Sequence, residues 1–139
     1  MTAMVDRAEQ WRFCFRMIWC GVAFLIAAKL MPDAMAPNVY GQAAYDIDAE
    51  TWALGFIAAP LLVIYGIHIN GRALFSPALR IIGYLCLLGL FVYLICSAWH
   101  SPDGFIIVAF GGFFFVPSIL RYLRVNIMDA AARIRNDTR

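Results

Sequence analysis

The chain has 139 residues, the length of a single domain. Its residues are 63% hydrophobic and 14% charged, with a mean hydropathy of +0.75, whereas soluble domains are about half apolar and about a quarter charged. A soluble core of this size cannot cover so much apolar surface, but a lipid bilayer can solvate it. The net charge of +2 is too small to indicate a nucleic-acid partner. These values favour one integral membrane domain, 1–139.

Four apolar segments are long enough to cross a bilayer as helices. A helix rises about 1.5 Å per residue, so about 20 residues span roughly 30 Å of hydrocarbon. The strands of a barrel would alternate apolar and polar residues, which these segments do not. The sequence therefore predicts an all-α membrane protein, an antiparallel bundle of four transmembrane helices, with a cytoplasmic tail at 121–139 that contains an amphipathic helix. The four spans lie at about 12–31, 51–69, 81–99 and 105–124, and the loop 32–49 is external.

The charges are divided unequally between the two sides of these spans. With a cytoplasmic N-terminus, ten basic and four acidic residues lie inside, a net charge of +6, while one basic and five acidic residues lie outside, a net charge of −4. Positive residues are enriched on the cytoplasmic side of membrane proteins. The sequence thus predicts a multi-pass protein of the bacterial inner membrane with both termini in the cytoplasm. The inside basic residues are Arg7, Arg12, Arg16, Arg72, Arg80, Arg121, Arg124, Arg133, Arg135 and Arg139.

The first span also fits a second interpretation, a cleaved signal peptide. A basic start and an apolar run precede Ala34-Met35-Ala36, which loosely matches a signal-peptidase site. The apolar run is long for a signal, and Pro32 and Asp33 separate it from that site. Retention is the favoured interpretation. Cleavage, which would leave three spans, stays open.

Residues that cap helices mark the ends of several predicted elements. Asp48 is placed to cap the second helix, and Ser76 to cap the third with Pro77 at its first helical position. Asn70-Gly71 ends the second helix, because glycine tolerates the left-handed conformation there. The sequence Ser101-Pro102-Asp103-Gly104 is typical of a tight turn and predicts that helices three and four form an antiparallel hairpin.

The sequence predicts no catalytic, cofactor-binding or metal-binding residues, and therefore a non-enzyme without cofactors. His68 and His100 are expected at opposite membrane surfaces, about 30 Å apart, too far to share a metal. No spaced Ser/His/Asp, Cys/His or glycine-rich phosphate pattern occurs. The cysteines form no CxxC pair and lie in apolar runs, which favours small packing residues; they are Cys14, Cys20, Cys86 and Cys96.

Small residues at helical spacing indicate where helices approach closely. Such small-xxx-small patterns allow close packing in membranes, and a glycine pair before Pro117 marks a flexible point at which the fourth helix should bend. Trp19 lies away from the predicted membrane surfaces and is expected to pack between helices. The candidate packing residues are Ala23, Ala27, Gly55, Ala59, Gly111 and Gly112.

The segment after the fourth span has an amphipathic pattern. Apolar residues at spacings of three and four form one stripe, Leu120, Leu123, Ile127, Ala131 and Ile134. A helix of this kind lies on an anionic leaflet, docks on a partner, or extends into solvent. The candidate contacts with lipid headgroups or a partner are Arg121, Arg124, Arg133 and Arg135.

One segment, 49–80, carries three short motifs, Ala49-Glu50-x-Trp52-Ala53, Gly66-Ile67-x-Ile69-Asn70-Gly71-Arg72 and Ser76-Pro77-Ala78-Leu79-Arg80. In these residues the segment resembles small multi-span membrane proteins encoded in bacteriophage and prophage genomes. The motifs cover under a quarter of the chain. The resemblance implies a phage or bacterial inner-membrane setting and no mechanism.

Three functions are compatible with these patterns. The first is a non-enzymatic, oligomerising or complex-associated membrane component, whose partners are the lipid bilayer and further copies or another membrane protein. The second is a holin-like pore-forming lysis protein, which is also small, poor in charge and basic at its C-terminus. The third is a small transporter or channel. The third is disfavoured because no ionisable residue lies near the middle of a predicted span.

Overall fold

The computed structural model describes residues 2–30, 48–69, 75–99, 101, 104 and 111–137. The regular structure of this part of the chain is helical throughout, which confirms the predicted all-α class. Most of the predicted external loop, the Ala34-Met35-Ala36 site, Asn70-Gly71, His100 and residues 105–110 lie outside the described residues. The elements are α1 (Thr2–Leu30), α2 (Ala49–His68), α3 (Ser76–Ala98), a π-helical turn (Gly111–Phe115) and α4 (Val116–Asp137).

Helices adjacent in the chain pack as antiparallel neighbours. Between α1 and α2, Gly21 faces Ile57, while Lys29 at the far end of α1 pairs with Glu50 at the start of α2. Between α2 and α3, Gly83 faces Val63. In these contacts the residue numbers rise along one helix and fall along the next. The two helices of each pair therefore run in opposite directions.

The last helix closes the bundle by contacting both α3 and α1. Phe91 of α3 stacks on Phe115 with ring centroids 5.0 Å apart, and Tyr84 lies 5.7 Å from Tyr122 of α4. Tyr122 also lies 5.3 Å from Phe13 of α1. These aromatic side chains belong to one buried cluster that all four helices share.

Two helices, over Glu50–His68 and Ser76–Ala98, are long and apolar enough to cross a membrane by length and composition. Four spans are therefore not established by the described helices.

The helix boundaries also differ from the predicted spans, because helix formation does not require apolar residues. The first helix begins ten residues before position 12, in a stretch without glycine or proline, and the predicted tail continues α4 without a break to Asp137.

Of the four predicted caps and turns, three fall within the described residues, and two of these lie where expected. Asp48 accepts a hydrogen bond from the backbone N–H of Thr51 at 2.6 Å. Hydrogen bonds from the Thr51 hydroxyl and backbone hold the pKa of Asp48 below its ordinary 3.8. The Gly104 N–H donates to Ser101 O at 3.2 Å, as a tight turn requires. A Cβ at Gly104 would overlap the carbonyl oxygen of Ala98, so only glycine fits there.

The predicted role of Ser76 as the N-cap of α3 is wrong by one residue. Phe75 is the N-cap, and Ser76 is the first helical residue. The Ser76 hydroxyl donates instead to the carbonyl oxygen of Gly66 on α2, at 2.6 Å. This contact is possible because the helices approach closely there: a Cβ at Gly66 would lie 2.8 Å from Cγ of Arg80.

The regular α-helical pattern is interrupted before Pro117, where the sequence predicts a bend. Proline has no N–H to donate to the carbonyl of Phe113 four residues earlier. The π-helical turn Gly111–Phe115 lies immediately before it, and the Ser118 hydroxyl donates to Phe114 O at 2.9 Å. The glycine pair thus lies in a widened helical turn, a local change that proline explains.

The contact between α2 and α3 depends on the absence of a side chain at Gly83. A Cβ there would lie 2.5 Å from Cγ2 of Val63 and 2.8 Å from the backbone oxygen of Ala59. We expect Gly83→Ala to lower the free energy of unfolding in detergent by about 1–3 kcal/mol, because the backbone oxygen cannot move aside. Gly89→Ala is the matched control, since its Cβ meets nothing within 4 Å. A Gly83→Ala protein as stable as the control would contradict this packing.

Candidate functional site

One end of the bundle carries a buried polar cluster. We call this the basic end. It is formed by the first half of α1, the end of α2, the start of α3 and the C-terminal half of α4. The polar cluster consists of Gln10, Arg80, Tyr84, Asn126 and Asp129. The exposed fraction is 1% for Gln10, 2% for Arg80 and 0% for Asn126, although residues of these types are rarely buried without partners.

An amide-centred hydrogen-bond network joins three helices within this cluster. The side-chain oxygen Oε1 of Gln10 accepts from Nδ2 of Asn126 at 3.1 Å and from the hydroxyl of Tyr84 at 3.4 Å. The same Asn126 nitrogen donates to the backbone oxygen of Tyr122 at 2.7 Å. Cys14 Sγ lies 3.9 Å from the Tyr84 hydroxyl. One side chain of α1 therefore connects to both α3 and α4, and misalignment of any of the three would leave a buried polar group unsatisfied.

An ion pair fixes the C-terminal half of α4 to α3. Arg80 Nη2 donates to Asp129 Oδ2 at 2.7 Å, and Arg133, one turn further along α4, donates to the same oxygen at 3.4 Å. The Arg80 side chain is 3% exposed and that of Asp129 33%. Partial burial raises the pKa of Asp129, but the hydrogen bonds and charges of the two arginines outweigh it, so the pKa lies below its ordinary 3.8.

The C-terminal half of α4 buries its polar face and exposes its apolar one. Asn126 and Asp129 point toward the bundle, while Leu120, Ile127, Ala131 and Ile134 of the predicted apolar stripe are exposed and Leu123 is half-buried. Met128 is exposed beside this stripe. A helix at the surface of a soluble protein would have the opposite arrangement.

The four candidate arginines of this helix have different surroundings. Arg121 lies 3.3 Å from Glu9 of α1 in an exposed ion pair, and Arg133 is half-buried against Asp129. Arg124 and Arg135 are exposed. The contacts of the four arginines with headgroups or a partner stay a prediction. Arg133 already takes part in an ion pair within the chain.

A lateral apolar groove lies between α2 and α3. Its volume is about 660 Å³. Most of the residues that line it are glycine, alanine or cysteine. Two aromatic rings of the lining, Trp52 and Tyr93, stack with centroids 5.8 Å apart. A Cβ at Gly89 would meet nothing within 4 Å, so the groove is open at that position. The residues that line it are Trp52, Gly55, Ala58, Ala59, Leu62, Cys86, Gly89, Leu90 and Tyr93.

The six predicted packing residues fall in different environments. Gly55 and Ala59 lie between α2 and α3, where a Cβ at Gly55 would be 3.1 Å from Leu90. Ala23 is exposed and Ala27 half-buried on α1. Gly111 is buried against Ile95, whereas Gly112 borders open space. Packing of Ala23 against another molecule stays a prediction.

Sequence reasoning missed the glycines with the closest helix contacts. They are Gly21, Gly66 and Gly83, where an added Cβ would meet atoms of a neighbouring helix at 2.5–2.8 Å. None of them has another small residue four positions away. The small-xxx-small pattern therefore could not find them.

The outward-facing side chains also differ from expectation. Cys14 is buried, but Cys20, Cys86 and Cys96 are exposed. Of the four cysteines, Cys14 is therefore the one that packs inside the chain, as predicted. Trp19 was expected between helices and is instead 59% exposed. An outward apolar side chain carries no penalty when lipid surrounds the helix, which removes the basis for that expectation.

The ion pair at Asp129 gives a testable prediction for α4. Asp129→Asn removes the partner of a buried arginine, and because Asp129 is one-third exposed we expect a loss of about 1–3 kcal/mol in the docking of residues 126–135. Amide hydrogen exchange in this segment should become about tenfold faster or more. Arg121→Gln is the matched control, because exposed pairs contribute only about 0–1 kcal/mol.

The same carboxylate sets a pH dependence. A lowered folded-state pKa stabilises the folded protein above the ordinary 3.8 of the carboxyl, and this contribution is lost as pH falls through the folded value. Protection of the segment should therefore be constant near neutral pH and fall in acid, with this acid step absent in Asp129→Asn. Equal exchange in both variants and the parent would show that the ion pair does not hold α4.

The groove and the basic end are thus the two features with a defined geometry, one apolar and open at the side of the bundle, the other polar and enclosed at its end. Among the residues that the structure describes, no three His, Cys, Asp or Glu side chains come together to hold a metal ion, and metal binding stays a matter for experiment. Comparisons with protein-family models, with curated proteins and with solved structures give no match to this chain.

Proposed function

We propose that this chain is a non-enzymatic protein of the bacterial inner membrane that crosses the bilayer four times and assembles with further copies of itself through the groove between α2 and α3. The groove is the observation that carries this proposal. It is an apolar, open surface lined largely by small residues, on the two helices that are long and apolar enough to cross a membrane. Among the described residues, no Asp, Glu, Lys, Arg or His lines it.

Outward apolar side chains support a membrane position for α1 and α4 as well. Phe15 and Trp19 on α1 are each about half exposed, and Phe113 in the π-helical turn is 80% exposed. Water would disfavour such contiguous aromatic surface, whereas hydrocarbon solvates it. The charged residues Arg16 and Lys29 lie within about one or two turns of the ends of the proposed span 12–31, from which their long side chains reach the headgroups.

The charges at the two ends of the bundle support the orientation. The arginines of α1, α3 and the C-terminal half of α4 gather at the basic end, whereas Asp48 and Glu50 lie at the opposite end with Lys29. In our proposal the basic end faces the cytoplasm, together with both termini.

Cysteine labelling in intact cells tests this topology. On a background without the native cysteines, Ala44→Cys should react with a membrane-impermeant maleimide before lysis. Ala132→Cys, on the exposed surface of α4, should react only after lysis. Reaction of both positions on the same side would exclude four spans with both termini inside.

The groove is suited to a transmembrane helix rather than to a polar ligand. In lipid, helices associate mainly by van der Waals packing, so that small residues which let backbones approach are favoured at contacts. Ala58 of α2 and Gly89 of α3 both line the groove and are exposed. A neighbouring helix with large side chains would fill the space between them.

The same molecule carries a matching ridge on α1. Trp11, Phe15 and Trp19 follow at intervals of four and are all exposed, and Phe15 and Trp19 pack edge to face with centroids 6.1 Å apart. A ridge on one copy and a groove on the next make a head-to-tail contact, which either closes into a ring or continues. Large exposed side chains on α1 and a groove lined largely by small residues are why we commit to a second copy as the occupant.

Filling the groove should weaken assembly without unfolding the chain. We expect Gly89→Leu to raise the dissociation constant of the oligomer in detergent or lipid about tenfold or more, since overpacking a contact costs about 1–3 kcal/mol. Gly112→Leu is the matched control, because a Cβ at Gly112 also meets nothing within 4 Å but lies outside the groove. Fluorescence energy transfer between labelled copies, measured against dilution, gives both constants.

Two outcomes would contradict the groove as the contact. Either the parent protein is monomeric at all dilutions, or both leucine variants weaken assembly equally. Phe15→Ala and Trp19→Ala should weaken assembly as Gly89→Leu does if α1 supplies the ridge.

A holin-like pore is the second candidate, since a head-to-tail contact that continues is what an expanding membrane assembly requires. Induced expression separates the two functions. A holin-like protein depolarises the host membrane at a set time after induction, and Gly89→Leu would delay that event, whereas a packing component leaves the membrane potential unchanged.

A further inference from the structure

The apolar stripe exposed on the C-terminal half of α4 lies at a fixed height relative to the ends of α2 and α3. The Ser76 hydroxyl bonds to the carbonyl of Gly66, so the ends of these two helices lie side by side. Arg80, about one turn into α3, holds Asp129 of α4. Asp129 therefore lies within about one helical turn, about 5.4 Å, of the level at which α3 begins.

The direction of the stripe is fixed as well as its height. Asn126 bonds to Gln10 of α1, and Asp129 bonds to Arg80 of α3, which prevents rotation of α4 about its axis. The opposite side, with Ile127 50%, Met128 61% and Ile134 67% exposed, must then face away from the bundle. The other described helices leave this apolar surface exposed.

We propose that the stripe is covered by the headgroup and upper acyl layer of an anionic leaflet, so that the C-terminal half of α4 is a lipid-binding surface selective for acidic headgroups. This deepens the proposed function, on whose membrane orientation it depends. Exposed Arg124 and Arg135 flank the stripe on the side away from the polar cluster. Apolar residues beside arginine are the composition of helices that lie in a membrane interface, and basic residues near an anionic surface are attracted to it.

An acidic protein partner is the competing occupant, and it is disfavoured by position. The stripe begins at Leu120 and Ile127, at or below the level of Asp129, where a partner approaching from solvent would first have to displace headgroups. The charge of the surface is the same for both occupants, so the experiment uses purified protein and lipid alone.

Adjacent alanines on α4 provide a matched pair of probes. Ala131 lies in the stripe, and Ala132 lies about 100° around the helix; both are exposed. Spin labels are attached to Ala131→Cys or Ala132→Cys on a background with Cys14→Ala, Cys20→Ser, Cys86→Ser and Cys96→Ser. The protein is reconstituted in bilayers of phosphatidylcholine with or without phosphatidylglycerol.

In bilayers with phosphatidylglycerol, the label at position 131 should collide more often with dissolved oxygen, and the label at position 132 with a water-soluble nickel chelate. Arg124→Gln combined with Arg135→Gln should shift the label at position 131 toward the chelate, as should replacement of phosphatidylglycerol by phosphatidylcholine. Equal access of the chelate to both labels in every bilayer would overturn the proposal and leave a protein partner as the occupant. Oxygen preference at position 131 that is unaffected by lipid charge would overturn the selectivity for acidic headgroups.

The failure of this proposal and that of the groove contact are distinguishable. Gly89→Leu changes the distance between copies and should leave the accessibility of both labels unchanged. If labels at both positions are instead inaccessible from the cytoplasmic side in oriented vesicles, the proposed topology is wrong, and the lipid proposal fails with it.

Discussion

The buried polar cluster at the basic end determines how the fourth helix joins the other three. A membrane offers no hydrophobic driving force between apolar helices, so association depends on packing and on the few polar contacts available. Gln10, Asn126 and the Arg80–Asp129 pair lie on three different helices and are joined by a hydrogen bond and an ion pair at one end of the bundle. Because loss of a buried polar contact costs about 1–3 kcal/mol, these contacts favour the observed rotation of α4. The exposure of its apolar stripe follows from that rotation.

Close approach of backbones joins the first three helices. Gly21 brings α1 against α2, and Gly66 and Gly83 bring α2 against α3. Where α3 meets α4, aromatic pairs such as Phe91 and Phe115 fill the contact. Small residues thus allow the first three helices to pack closely, and large residues fill the contact with the fourth. The lateral groove follows from the same arrangement, because Gly55 and Gly89 leave space at the outer edge of the contact between α2 and α3.

The sequence predicted the features that depend on local chemistry. The all-helical class follows from the length and composition of the apolar segments, and Asp48 and Gly104 act locally, so they lie where expected. The polar cluster was not predicted, because its bonded partners on different helices are 49–116 residues apart, as in Arg80–Asp129 and Gln10–Asn126, and nothing in the chain marks them as partners. Arg80 counted toward the charge of the cytoplasmic side, yet its side chain is buried. The groove was predicted only in part, through Gly55 and Ala59.

The two exposed apolar surfaces, the groove and the stripe, share no residues. The groove belongs to α2 and α3 near their middle, and the stripe to the end of α4, with the polar cluster between the stripe and the rest of the fold. In a soluble protein, these two apolar surfaces would be liabilities that invite aggregation. In a bilayer they are compatible with a stable chain, because lipid covers whichever of them no protein occupies. The polar interior at one end and the apolar surfaces outside are therefore linked. The hydrogen bonds set the rotation of the helices, and a surrounding bilayer would cover the apolar surfaces that this rotation exposes.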